Sequence, residues 1–244
     1  MCWSAGADAV AGAVVGGLGV ACLLQVRDPR RLPLAALPLL LGLHQLVEAA
    51  VWLGTDGRIG PGAAQTARTV WALMALPLLP VLVPFGVWCA TGPGARRRRI
   101  GPLLVLGCAV AVPLVVAVLR HPVTVQVRGH TLAYAVGLRW APLWVAGYLV
   151  ATVGALLLSG DRALRTLGVL VGAGAAACAV VWRLAFASTW CALAALAAVL
   201  LLGWAGGPGP AGPAEARQGA GSPGPDGATG RPFERTTGVR EHDS

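Results

Sequence analysis

Seven stretches of roughly 20 mainly apolar residues follow one another along the chain, each long enough to cross a hydrocarbon layer as an α-helix. They run Gly6–Val26, Leu32–Gly54, Thr66–Ala90, Ile100–Leu119, Trp140–Ser159, Leu164–Ala185 and Ser188–Trp204. The last two meet through the short Phe186–Ser188 connection just after Arg183, which predicts a tight helical hairpin. One connection is long. Between Arg120 and Arg139, Val123, Val125 and Val127 alternate with Thr124, Gln126 and Arg128; Gly129 interrupts, and His130 to Tyr134 alternates again. A period of two on both sides of a glycine predicts an amphipathic β-hairpin over the outer mouth of the bundle, either a lid or an ordinary ordered loop. Beyond Trp204 the pattern stops, and Gly206-Gly-Pro-Gly-Pro-Ala-Gly-Pro213 opens a tail that cannot bury enough apolar surface to offset its ordering entropy. The predicted fold is therefore an all-α membrane protein. It has a seven-transmembrane-helix bundle over 1–204, a short outer β-hairpin and a disordered C-terminal tail over 205–244.

Composition removes the soluble alternative. Of 244 residues 56% are hydrophobic and 12% charged, with 34 glycines in addition; soluble domains average about 45–50% apolar with glycine included and about 25% charged. All 19 basic residues are arginine, so chemistry through a lysine Schiff base is excluded. The net charge of +9 sits in short clusters between apolar runs, with no basic face interleaved with aromatics. That pattern reports topology and gives no reason to expect a nucleic-acid partner. The six cysteines include no CxxC pair, and five lie within or at the ends of apolar runs, as buried thiols do. The N-terminus lacks the basic region and cleavage site of a secretory signal, so the first apolar run is expected to stay in the mature protein.

Arginine placement sets the expected orientation. The connections after the first, third and fifth segments carry Arg27, Arg30, Arg31, Arg96 to Arg99, Arg162 and Arg165, and the tail adds Arg217, Arg231, Arg235 and Arg240. The other side carries Arg58, Arg68, Arg120, Arg128, Arg139 and Arg183. This bias places the N-terminus outside and the C-terminus in the cytoplasm of a multi-pass protein of the cell membrane. The Arg96–Arg99 run reads as a stop-transfer anchor, with lipid head-group recognition as the second reading. Gly12 and Gly16, and Gly168, Gly172 and the Gly174–Ala177 run, make small faces for close helix approach. Pro77, Pro80, Pro84 and Pro113 predict kinks.

Candidate chemistry lies in the residues that are costly to place in lipid. His44, Glu48 and Trp52 recur every four residues in the second segment and share one helix face, with Gln45 beside them. A carboxylate at that depth points to function by default, and a structural hydrogen-bond cluster joining helices is the competing reading. Asp8, His121, His130, Arg183, Thr189, Trp190 and Cys191 fall at outer helix ends or in the outer loop. Polar groups from several segments therefore converge at one depth. His44, Glu48, His121 and His130 have the right donor atoms for zinc, with Asp8 as a further oxygen, although no HxxxH or HExxH spacing supports a metal. The same groups, Asp8, His44, Gln45, Glu48, Trp52, His130 and Trp190, suit a proton relay or a pocket for a small polar ligand, with no cofactor.

Met1-Cys-Trp-Ser-Ala5, Leu37 to Gly54 with its His44-Gln-Leu-Val-Glu48 core, and Trp190-Cys-Ala-Leu-Ala-Ala195 resemble a family of uncharacterised bacterial multi-pass membrane proteins. Its members open Met-Cys-Phe-Ser-Ala, carry a Gln-Gln…Glu-Gly…Trp run in the second helix and show Trp-Cys near the last. The resemblance covers most of residues 1–204. It departs at Trp3 for Phe, His44 for Gln and Ala49 for Gly, so what it implies for function rests on Gln45, Glu48 and Trp52 and weakens zinc. The architecture also resembles membrane hydrolases related to alkaline ceramidases, which use three His, an Asp and a Ser around zinc, but residues 188–204 contain no His. Two hypotheses follow: a membrane protein with an outward-facing polar pocket, or a zinc-dependent hydrolase of a lipid or amide. A transporter would show inverted repeats, and seven spans leave one helix over. Beyond the lipid bilayer the sequence names no partner and no oligomeric state.

Overall fold

The computed structural model describes residues 4–128, 131–181 and 186–207, with the side chains of 128, 131, 178–181 and 186–192 outside that description. Among the described residues seven helices alternate with short turns. These are α1 (Ala5–Gln25), α2 (Pro29–Thr55), α3 (Pro61–Ala90), α4 (Ala95–Arg120), α5 (Ala141–Leu158), α6 (Arg162–Val181) and α7 (Phe186–Ala205). The first five are long and apolar enough to cross a membrane. Each predicted segment falls on one of these helices to within a residue at its ends, except that residues 182–185 of the sixth lie outside the described residues. The predicted tail from 208 onward lies outside the described residues.

Local sequence explains the boundaries. The Ser4 side chain accepts from the Ala7 amide at 3.2 Å to start α1, and Asp28 accepts from Arg30 at 3.0 Å ahead of Pro29 to start α2. Of the predicted proline distortions, the one at Pro77 takes the form of a π turn over Met74–Leu78. Proline supplies no N–H to the preceding turn and its ring crowds it, and the wider turn relieves both. The Tyr148 hydroxyl of α5 donates to the Ala75 carbonyl within this turn at 3.3 Å. α4, by contrast, continues as a helix through Pro113.

The helices pack in a closed ring in chain order, α7 returning to α1, with α3 also touching α5. The closest seam joins α1 and α2. A Cβ on Gly12 would stand 2.8 Å from Leu46 Cγ and 2.9 Å from the Gly42 carbonyl oxygen, Gly42 meets the Gly16 backbone, and Gly19 meets Leu39. Gly12 and Gly16 thus do bring helices together, and Gly42 is their counterpart. Gly168 and Gly172 of α6 receive Leu156, Leu157 and Val153 of α5, so the second small face is also used. Large side chains such as Val10, Leu24, Val105 and Leu143 remain more than 60% exposed, an apolar surface fit for lipid tails. Cys22 is buried and Cys89 partly so, but Cys108 lies exposed on α4, contrary to the expectation of a buried thiol there. An apolar surface facing lipid shelters a thiol as well as a core does.

The antiparallel hairpin forms as the alternation predicts: β1 (Thr124–Arg128) pairs with β2 (Thr131–Ala135), Val125 opposite Tyr134. Val123, just before β1, is buried with Ala72 and Val118 in a small apolar cluster that also takes in Trp71, Tyr134 and Val136. The hairpin therefore lies against α3 and α4. The larger core, from Cys22 and Leu34 to Leu201 and Trp204, occupies the opposite end of the bundle, where the arginine-bearing turns are.

Candidate functional site

The polar groups collect beneath the hairpin, where the apolar core is thinnest. On α2, His44, Gln45, Glu48 and Trp52 are all buried, with 3–9% of their surface exposed. Along the α1–α2 seam Gly19 faces Leu39, Gly16 faces Gly42 and Gly12 faces Leu46. Carried one turn further, this antiparallel register sets Asp8 level with Ala50, between Glu48 and Trp52. Asp8 is fully buried there. The predicted convergence of Asp8 with the α2 face is thus present in depth, and Asp8, Gln45 and Glu48 each have interaction partners.

α3 supplies the groups that the sequence reading did not single out. Ala64 packs on Gly54 of α2, and Trp71, two turns on, brings its ring centroid to 5.1 Å from that of His44. Arg68 lies between these two contacts on the same face of α3, as its i+4 spacing from Ala64 and i−3 spacing from Trp71 require. Trp71 in turn stacks on Tyr134 of the hairpin, with centroids 3.5 Å apart and planes 3° from parallel. A column of rings therefore runs from the hairpin through α3 to His44 in the middle of α2.

Some buried donors of this seam go unused. Trp52 Nε1, Trp71 Nε1 and Arg68 Nε are buried and have no hydrogen-bond partner. Indole and guanidinium nitrogens only donate, so each of these three atoms is a donor without an acceptor. His44 Nε2 is buried and unbonded as well, and an imidazole nitrogen can donate or accept.

Other predicted members are placed differently. His121 is exposed where α4 ends, beside Gly137. His130 lies outside the described residues, as do Arg183 and the side chains of Thr189, Trp190 and Cys191. Among the described residues no three His, Cys, Asp or Glu side chains are placed to hold a metal ion. One arginine counted as a topology signal has another role. Arg31 is buried at the opposite end and donates through Nη1 to the Trp204 carbonyl at 2.7 Å and the Gly207 carbonyl at 3.0 Å. It caps the end of α7, because the last carbonyls of a helix have no partner of their own.

Apolar helices closed into a ring around a buried polar seam define a multi-pass membrane protein. The chain belongs to the family of unknown function DUF6629, which it matches over residues 1–216. No curated protein and no solved structure is similar to it.

Proposed function

We propose that this membrane protein binds a small polar ligand in the seam between α1, α2 and α3 beneath the hairpin. The observation that supports this reading is the run of buried donor nitrogens at Trp52, Arg68 and Trp71 that find no acceptor among the described residues. A buried polar group left unpaired costs about 1–3 kcal/mol, so three donors along one seam favour an acceptor supplied from elsewhere. Donors without acceptors select a carboxylate or carbonyl oxygen. The Trp71 and Tyr134 rings offer an apolar wall for the rest of the molecule. Asp8, Glu48 and His44 are the titratable groups able to exchange a proton with the ligand.

The hairpin is the cover of this site, and entry is from its side of the membrane. The arginine distribution puts that side outside, with the N-terminus, and the arginine-rich turns and C-terminus in the cytoplasm. A cysteine placed at Gly129 should accordingly react with a membrane-impermeant maleimide on intact cells, and a reporter fused after Ser244 should read the cytoplasm.

Mass spectrometry of small molecules released from the detergent-purified protein tests the ligand. Wild type should release a compound bearing a carboxylate or carbonyl, and Trp71→Phe and Glu48→Gln, which keep shape, should lose it. Identical release from all three proteins would refute the reading.

A further inference from the structure

A second concave site lies at the opposite end of the bundle, where α4 begins. Arg96, Arg97, Arg98 and Arg99 fill its first turns, with no acidic residue in the first turn and no side-chain cap. The first amide to bond back is that of Arg98, to the Gly94 carbonyl, so those of Ala95, Arg96 and Arg97 have no intrahelical acceptor. Gly94, which precedes them, has φ 147° and ψ −170°, a conformation that glycine alone adopts without strain.

Trp88, Pro93, Gly94, Arg97, Arg98 and Gly101 line a cavity of about 320 Å3 here. The Arg97 guanidinium carbon lies over the Trp88 ring, 3.6 Å from its centroid, and its buried Nε has no hydrogen-bond partner. A Cβ on Gly101 would meet nothing within 4 Å, so the missing side chain leaves the cavity open on the helix side. The acids at this end among the described residues are engaged elsewhere. Asp28 accepts from the Arg30 amide, and Asp161 accepts from Trp204, Ala163 and Leu164.

We propose that this cavity binds the phosphate of an anionic phospholipid head group. Arg98 and the fixed Arg97 supply charge-assisted donors, and the free amides and dipole of a 26-residue helix add positive potential at the same spot. With no carboxylate facing it among the described residues, the site has nothing there to receive a cationic head group. A lipid is favoured over free phosphate because Phe85 and Val105, about one turn from Trp88 and Gly101 toward the apolar zone, are 40% and 70% exposed and offer apolar surface for an acyl chain. Trp88 stands at the depth where indole rings meet head groups.

Thermal unfolding of the full chain in a neutral detergent tests this, with dioctanoyl phosphatidylglycerol, dioctanoyl phosphatidylcholine and inorganic phosphate as separate additives. Saturating phosphatidylglycerol should raise the wild-type midpoint by about 5 °C, and the other two by much less. The double variant Arg97→Gln/Arg98→Gln should lose the shift. So should Gly101→Leu, which keeps every charge and fills the cavity, and which covers the case in which the double variant does not fold. A full shift from inorganic phosphate alone would overturn the lipid assignment. Equal shifts from the two lipids, or an undiminished phosphatidylglycerol shift in Gly101→Leu, would overturn the site.

Discussion

The Arg31–Trp204 cluster at one end of the bundle and the seam beneath the hairpin at the other treat buried polar groups in opposite ways. At the arginine end, Arg31 donates to the carbonyls of Trp204 and Gly207 and its guanidinium lies 4.9 Å from the Trp204 ring centroid. The Trp204 indole donates to Asp161 Oδ2 at 3.0 Å, while Asp161 Oδ1 accepts the amides of Ala163 and Leu164 that open α6. These groups satisfy one another and stitch the α1–α2 turn, the α5–α6 turn and the end of α7 together. At the hairpin end, Trp71 stacks just as closely on its neighbour, yet its indole N–H is idle, like those of Trp52 and the Nε of Arg68. The same side chain closes a network in one place and holds an unpaired donor in the other. Burial of polar groups alone does not separate structure from function; what those groups find around them does.

Substitutions with matched chemistry at the two ends put the contrast to the test. Arg31→Ala should have the largest effect, a loss of about 3 kcal/mol in a reversible detergent unfolding titration, because two buried carbonyls and Asp161's indole partner all lose their support. Trp204→Phe cuts the buried indole to a phenyl ring and removes the bond to a carboxylate, for a loss of about 2 kcal/mol. Trp71→Phe makes the identical chemical change at the hairpin end. It should cost about 1 kcal/mol less than Trp204→Phe, since both changes lose the same part of an indole but here the deleted donor has no acceptor. A loss equal to that of Trp204→Phe would erase the distinction between the ends. His44→Gln should have the smallest effect, because glutamine is the residue the family resemblance gives at this position. Elemental analysis of the same preparations sharpens that result: zinc bound by wild type and absent from His44→Gln would make His44 a metal ligand.

The helical spans were legible because membrane thickness fixes how many apolar residues a helix needs, and that number survives in the sequence whatever the packing. The hairpin was legible for an equally local reason, a side-chain period of two. The α2 face was readable too, since His44, Glu48 and Trp52 share a face by spacing alone. Its partners were not. Trp71 looked like one more apolar residue of the third span, and only the meeting of α2 and α3 shows that it touches His44. Arg68 did carry a signal: it falls inside the predicted Thr66–Ala90 span, where a charge is expensive, but counting it with the loops hid it. Arg31 was hidden by the opposite error, since a count of charges near helix ends does not distinguish a solvated arginine from one folded under α7. Gly42 could not be matched to Gly12 and Gly16 before the α1–α2 register was known.

That glycine seam also divides the molecule mechanically. With Gly12 against Gly42 and Leu46, Gly16 against Gly42 and Gly19 against Leu39, the two helices stay in close contact over about two turns, and neither can slide or roll without collision. α1 and α2 therefore behave as one stiff beam bearing Asp8, His44, Glu48 and Trp52. α3 meets this beam through Ala64 against Gly54 near its start and through the Trp71–His44 ring contact two turns on, and carries a π turn at Met74–Leu78, just beyond Trp71, where the ordinary helical ladder is already interrupted. The part of α3 above Pro77 is therefore tied to the beam and to the hairpin, and the break in the ladder separates it from the part below.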